Sequence, residues 1–189
     1  MEKKYKERTV LDLLIRAAES NPSKTYCKSV NHELTYQQFI SAIVKLSGEI
    51  AQKKVKNEYV GVLLPNSILF LIAYFAVLMS GNTPALLNFL LPESALGKLL
   101  DDLKPSLVLS NKELSKYKYL TLEIEDYLGI EQLDIKEINH DCIGDAVGAV
   151  LFSGGTTGIP KQINHLHKSI SLMVDRMEWG WPTGPMKID

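Results

Sequence analysis

One run constrains this chain more than any other stretch: Ala146-Val147-Gly148-Ala149-Val150-Leu151, followed directly by Phe152-Ser153-Gly154-Gly155-Thr156-Thr157-Gly158-Ile159-Pro160-Lys161. The first six residues are apolar or glycine, the pattern of a buried strand. Glycines, threonines and a lysine then crowd into the few positions after its end. Glycine lets backbone N–H groups approach an anion closely and reach φ > 0. The threonine hydroxyls add donors, and Lys161 adds a point charge. Pro160 fixes its own φ and biases Ile159 toward extended geometry, which sets how the lysine leaves the loop. These are the parts of a phosphate clamp. The common P-loop differs, because it needs a lysine directly after its last glycine and a hydroxyl residue next. Here Ile159 and Pro160 intervene, and Gln162 follows. A Gly/Thr-rich turn between two strands, with no ligand, is the competing reading of the same composition.

The run resembles the phosphate-binding signature of the adenylate-forming superfamily, which includes acyl- and aryl-CoA synthetases, luciferases and the adenylation domains of nonribosomal peptide synthetases. That signature is an aromatic residue, Ser or Thr, Ser, Gly, Thr or Ser, Thr, Gly, any residue, Pro, Lys and Gly. Phe152, Ser153, Gly155, Thr156, Thr157, Gly158, Pro160 and Lys161 match it. Gly154 stands where serine is usual, as in members that activate fatty or aryl acids, and Gln162 stands where glycine is usual. The likeness extends upstream in the right order, through Leu34-Thr35-Tyr36, residues 59–67, residues 73–81, Pro84-Ala85-Leu86-Leu87-Asn88 and residues 102–109. It spans most of residues 10–175.

The resemblance implies an α/β fold with a mainly parallel sheet flanked by helices, the front part of the large N-terminal domain of such an enzyme. It also implies ATP-dependent activation of a carboxylic acid through an acyl-adenylate, with Mg²⁺ on the nucleotide and transfer to a thiol. Coenzyme A is the expected acceptor, and Gly154 favours a fatty or aryl acid. Ser153, Gly154, Gly155, Thr156, Thr157, Gly158 and Lys161 would hold the phosphates, with Lys161 the catalytic candidate. In the family the adenine motif, the ribose-binding acid, the hinge and the C-terminal catalytic lysine follow later in the chain. Residues 1–189 are therefore expected to be a partial AMP-binding domain, ending soon after the loop and without the C-terminal domain. Alone, such a chain should be inactive; a non-catalytic fragment, or a subunit needing a partner chain, is the alternative.

Composition narrows the rest. Of 189 residues, 46% are hydrophobic, enough for a core and too many for a disordered chain. The length suits one domain. A net charge of −1 leaves no electrostatic footprint for nucleic acid. The basic start, Met1-Glu2-Lys3-Lys4-Tyr5-Lys6, lacks the apolar stretch of a secretion signal. With only Cys27 and Cys142, it suggests a reduced, cytoplasmic protein without a required disulfide. Residues 68–79 are apolar but too few for a bilayer span, which needs roughly 20, so a buried helix is expected.

Along the chain, Val10, Leu13, Leu14, Ala17 and Ala18 recur at helical spacing up to Asn21-Pro22. Residues 24–30 suit a strand. Thr35 and Gln38 form a capping-box pair ahead of a helix reaching Gln52. Residues 59–64, 83–87 and 106–109 read as buried strands, alternating with a helix that runs from after Asn66 to about Ser80 and another over 92–103. Asn66 is the expected cap of the first of these helices, and Pro92 is expected in the first turn of the second. Residues 119–124 suit a further strand, 138–145 a loop, and 167–178 a helix. Residues 181–185 read as a loop. Ordering 154–158 should cost about 5–10 kcal/mol, so residues 153–160 are expected to be the most mobile internal segment without phosphate.

Other chemistry finds little support. His165 and His167 lie two apart, with no acidic or thiol partner at zinc-ligand spacing, so no metal site is expected, and a structural or helix-starting role suits both. No G-x-S-x-G elbow makes Ser153 a hydrolase nucleophile. Asp101 and Asp102 read as surface charge, and Trp179 and Trp181 as packing residues.

Overall fold

A computed structural model describes residues 8–114, 116–153 and 160–180. Helix α1 (Val10–Ser20) opens on a capping box, in which the Thr9 hydroxyl accepts from the Asp12 amide and the Asp12 carboxylate accepts from the Thr9 amide. A short antiparallel hairpin follows, β1 (Thr25–Lys28) and β2 (Glu33–Thr35). Helix α2 (Tyr36–Gln52) starts at the expected box: Thr35 Oγ1 accepts the Gln38 amide at 3.3 Å, and Gln38 Oε1 accepts the Thr35 amide at 2.9 Å.

The main sheet begins with β3 (Tyr59–Leu63), followed by α3 (Ile68–Met79), β4 (Thr83–Leu86), α4 (Glu93–Leu103), β5 (Leu107–Ser110) and β6 (Tyr119–Thr121). After a connection with 3₁₀ turns at Ile124–Tyr127 and Ile135–Glu137 come β7 (Val147–Phe152), β8 (Gln162–Leu166) and α5 (His167–Gly180). The six strands lie in the order β6-β5-β3-β4-β7-β8. Every neighbouring pair is parallel except β7 and β8. The mainly parallel α/β sheet expected from the sequence is therefore present, with one antiparallel edge that the sequence reading did not foresee.

Side chains alternate between two cores, as strand geometry requires. Val60, Val62, Leu107 and Leu109 pack with α1, α2 and α3, whereas Leu63, Ala85, Leu87, Val108 and Val150 pack with Leu99, Leu100 and Leu103 of α4. Helices α3 and α4 thus cover opposite faces. Gly61 of β3 leaves room on the α4 face: a Cβ there would lie 3.0 Å from Leu87 Cδ1 and 3.4 Å from Val108 Cγ2. Helix α3 is apolar all round because it is buried, with Ile72, Ala73 and Ala76 fully inaccessible. No helix among the described residues is long and apolar enough to cross a membrane.

Several boundaries differ from expectation. Ser67, not Asn66, caps α3: it holds the extended backbone, and its hydroxyl accepts the Phe70 amide at 3.2 Å, three residues on. Asn66 sits one position too early for that reach. Pro92 is the extended residue just before α4, and Lys104 ends that helix at φ 50°. The expected strand over 119–124 stops at Thr121, because Ile124 already begins a 3₁₀ turn. The first strand is shorter than 24–30, since the chain turns at 29–32 to form the hairpin. Asp101 is less idle than surface charge implies, pairing with Lys116 at 2.9 Å and accepting from the Tyr117 hydroxyl at 3.0 Å. The loop expected over 181–185 and the packing of Trp181 lie outside the described residues, as does the side chain of Trp179.

Removing the Thr35 hydroxyl leaves the Gln38 amide without its acceptor, and loss of such a cap costs about 1 kcal/mol. Thr35→Ala should lower the unfolding free energy by that amount, read as a lower urea midpoint at an unchanged m-value.

Candidate phosphate-binding site

The candidate loop joins β7 to β8, whose antiparallel register pairs Phe152 with Gln162 and Leu151 with Ile163. Beyond that pair, the Ser153 amide donates to the Lys161 carbonyl at 2.9 Å, and the Lys161 amide donates to Ser153 Oγ at 3.1 Å. The ladder therefore brings the two ends of the candidate loop together. Ser153 Oγ accepts with a lone pair, so its own proton stays available for a ligand oxygen. Lys161 is exposed and joins none of the ion pairs among the described residues. Gly154, Gly155, Thr156, Thr157 and Gly158 lie outside the described residues, and with them the expectation of a mobile 153–160 segment.

The hairpin mouth opens beside the carboxyl ends of β3 and β4. Because α3 leaves β3 toward one face and α4 leaves β4 toward the other, a crevice forms between these strand ends, the usual ligand position in an open α/β sheet. It holds a cavity of about 380 Å³ lined by Leu64, Pro65, Asn66, Phe70, Leu86, Leu87, Asn88, Phe89, Leu90 and Leu151. Among the described residues the lining includes no charged side chain. Asn88 Oδ1 is already engaged by the Leu90 amide at 2.9 Å.

The opposite end of the hairpin is pinned by His167, the first residue of α5. Its side chain is buried, and Nδ1 accepts the Val10 amide at the start of α1 at 3.2 Å. The His167 amide donates to the Ala146 carbonyl at 3.0 Å, and Ser171 Oγ donates to the Arg8 carbonyl at 3.3 Å. Gly148 of β7 makes room for the imidazole: a Cβ there would come within 3.0 Å of His167 Nδ1 and 3.2 Å of its Cα. Tyr74 of α3 adds a hydroxyl bond to the Gly148 carbonyl at 3.0 Å. Nearby, His140 Nε2 lies 3.2 Å from the Asp12 carboxylate. Burial, then the neighbouring His140, pushes the His167 pKa down to about 4, partly opposed by Asp12. Burial raises the pKa of Asp12, but hydrogen bonds from Thr9 and the nearby His140 outweigh it and hold the carboxyl below its ordinary value.

The helix-starting role expected of His167 is thus present, with a second role as an acceptor for α1. His165 instead pairs with Ala149 in the ladder. Among the described residues, no group of three or more His, Cys, Asp or Glu side chains could hold a metal ion. Cys27 and Cys142 are free thiols. Sequence reasoning missed β8, whose Gln-Ile-Asn-His-Leu run alternates too weakly to announce a strand, and missed the crevice, whose lining comes from three separate strand ends.

Residues 14–187 match the family of AMP-binding enzymes, and the chain belongs to that family. It is 27% identical over 167 residues to tyrocidine synthase 3 of Brevibacillus parabrevis, covering 86% of this chain and 3% of that protein. It is 20% identical to the D-alanine–D-alanyl carrier protein ligase of Lactococcus lactis, covering 85% of this chain and 34% of the ligase. Among solved structures, o-succinylbenzoate CoA synthetase of Bacillus subtilis, in complex with its acyl-adenylate intermediate, superposes with a TM-score of 0.77 at 18% identity, over 93% of this chain and 47% of that one. The N-terminal subdomain of NpsA from Klebsiella oxytoca gives 0.69 at 16% identity, over 85% and 41%. These likenesses establish a shared fold, and the chain spans less than half of each protein compared.

His167 binds its proton less readily when folded, with a pKa of about 4 against 6.5 for the free side chain. Its neutral form therefore contributes stability that is complete above about pH 6.5 and is lost as the pH falls toward 4. His167→Asn keeps a side-chain acceptor for the Val10 amide and removes the titration. Urea midpoints at pH 7 and pH 4.5 should fall further for the parent than for this variant; equal falls would remove His167 as the cause.

Proposed function

We propose that this chain supplies the phosphate-holding part of an enzyme that activates a carboxylic acid with ATP. The acid's carboxylate oxygen attacks the α-phosphorus, the bond to the bridging oxygen of the β-phosphate breaks, and acyl-adenylate and pyrophosphate result. A thiol sulfur then attacks the acyl carbon and AMP leaves. One observation carries the reading: the β7–β8 ladder sets the Ser153 hydroxyl and Lys161 at the two ends of a Gly/Thr run, beside the carboxyl ends of β3 and β4.

Each residue has a physical part in this. Charge builds on the leaving pyrophosphate, and donors fixed in advance stabilise it without reorganising. Lys161 would place a positive charge against the β- or γ-phosphate, and the hydroxyls of Ser153, Thr156 and Thr157 would donate to its oxygens. Backbone amides over 154–158 would complete the cradle, because glycines at Gly154, Gly155 and Gly158 let the chain approach closely. Hydroxyl, amide and ammonium donors of this kind fit phosphate oxygens. Mg²⁺ would arrive on the nucleotide and share its charge.

The thiol acceptor we favour is coenzyme A, with a fatty or aryl acid as substrate, on the grounds of Gly154 and the likeness to a CoA synthetase fold. A carrier-protein thiol is the alternative that the relationship to the D-alanyl carrier protein ligase raises. A second reading rests on the chain's covering less than half of its solved relatives: it would bind phosphate yet need a further polypeptide for catalysis.

Calorimetric titration of this chain with Mg-ATP, and separately with magnesium pyrophosphate, tests the clamp. A charge-assisted contact is worth about 1.5–3 kcal/mol, so Lys161→Ala should weaken both affinities by roughly 10- to 100-fold. Parent and variant binding within twofold of each other would mean that the segment is only a turn. The same chain should show no acid-dependent ATP–pyrophosphate exchange, and rapid exchange would overturn the need for a further polypeptide.

A further inference from the structure

The residue after Lys161 departs from the signature, which has glycine where this chain has Gln162. The backbone of Gln162 opens β8 and pairs with Phe152 of β7. Its side chain makes contacts that a glycine could not. Gln162 Nε2 donates to the Tyr59 hydroxyl at 3.3 Å and to Asn164 Oδ1 at 2.9 Å, which uses both hydrogens of the amide group. Asn164 lies two residues on, and so on the same face of β8. Tyr59 is the first residue of β3, and it packs against the core on the α4 face.

Strand order gives the Tyr59 contact its reach. Strands β4 and β7 lie between β3 and β8, so the two side chains together bridge strands roughly 14 Å apart, at about 4.8 Å per spacing. Among the described residues β8 takes its backbone pairing from β7 alone. The side-chain bond therefore ties the residue beside Lys161 to a strand that is paired on both sides. Lys161 itself has few such ties. Its two backbone bonds both run to Ser153, and one of them ends on the hydroxyl. Side chains alternate along the ladder. Gln162 and Asn164 share the α4 face with their partners Phe152 and Val150. Alternation puts Lys161 on the face of Ile163 and Leu151, and Leu151 lines the crevice. Holding Gln162 on one face thus sets the direction in which Lys161 leaves the other.

We propose that Gln162 is a positioning residue for Lys161: its side-chain amide, tied to Tyr59 and Asn164, holds the strand end from which the lysine meets a phosphate. This role rests on the phosphate-holding function proposed above, and it adds a residue that touches no ligand itself.

Calorimetric titration of the 189-residue chain with magnesium pyrophosphate, paired with hydrogen exchange of the ligand-free chain, tests the role. Gln162→Leu removes both donors, and Tyr59→Phe removes the acceptor while keeping the ring. Each should weaken binding by about 3- to 10-fold, and the double variant should lose no more than the larger single effect. In a Lys161→Ala background, Gln162→Leu should change affinity by less than about twofold, a result that a general loosening of the hairpin would not give. Without ligand, the Ser153 amide, which donates to the Lys161 carbonyl, should exchange about threefold faster or more in Gln162→Leu. Circular dichroism checks that the variants fold; if Tyr59→Phe does not, Gln162→Leu decides. A parent that binds pyrophosphate while the folded variants bind within twofold of it overturns the positioning role and leaves the phosphate site standing. An equal loss with and without Lys161 overturns it too, as does unchanged Ser153 exchange. A parent that binds no pyrophosphate removes the phosphate site, and this role with it.

Discussion

Strand β3 is paired on both sides and covered on both faces, and the rest of the architecture answers to that double burial. Val60 and Val62 must meet one helical layer, and Leu63 must meet another. Burial of each such side chain stabilises by about 1.5–3 kcal/mol, and a one-residue slip would send every one of them to the wrong layer. The register against β4 and β5 is therefore closely held. Gly61 reinforces it, since Leu87 and Val108 from the neighbouring strands fill the space a side chain would take. Once α3 and α4 are committed to opposite faces, the strand ends between them have to splay into a crevice. The cavity beside the candidate loop follows from the way the core is filled.

The hairpin that carries the loop is held very differently at its two ends. At its root, Gly148, His167, Tyr74 and the first turn of α1 interlock through backbone and side-chain hydrogen bonds in a buried setting. A buried polar group without a partner is costly, so each of these bonds penalises any displacement of the others. A charged imidazole could not accept from the Val10 amide, and burial, with His140 nearby, favours the neutral form of His167. At its mouth, by contrast, the Ser153 and Lys161 bonds lie in solvent-accessible surroundings, where each contributes only about 1 kcal/mol. The root fixes the direction of the hairpin, and the bonds at the mouth add little to it.

The sequence made the sheet legible where packing and pattern coincide. Residues 59–64 and 106–109 are continuous apolar runs, as strands buried on both faces must be, and they fall within a residue or so of β3 and β5. The Thr35–Gln38 box was readable because capping is local chemistry, settled within four residues. Strand β8 was not, since an edge strand needs no apolar face of its own and takes its register from β7. Asn66 misled because asparagine and serine are equally good caps, and only the position of the first helical turn separates them. At the site, Ser153 and Lys161 could be named from the run, but their mutual bonds depend on β8. The role of His167 was half readable: a helix start is local, whereas its bond to Val10 joins residues 157 apart in the chain.

The hydrogen bonds at the hairpin mouth suit both a ligand-free turn and a phosphate clamp, and energetics shows how the two relate. Closing a loop costs entropy that grows slowly with its length, and the β7–β8 ladder meets that cost before any ligand arrives. Such pre-organisation raises affinity by lowering what association must overcome. Ser153 has a double part in this, because its oxygen accepts the Lys161 amide while its proton can still be donated. A threonine could do the same, whereas alanine would lose the tether and the donor together. Among the described residues Lys161 joins no ion pair, so on the proposed function its charge and the Ser153 proton are what a phosphate would meet at the two ends. On the proposed function the turn would be the ligand-free form of the clamp, with β8 holding Lys161 opposite Ser153.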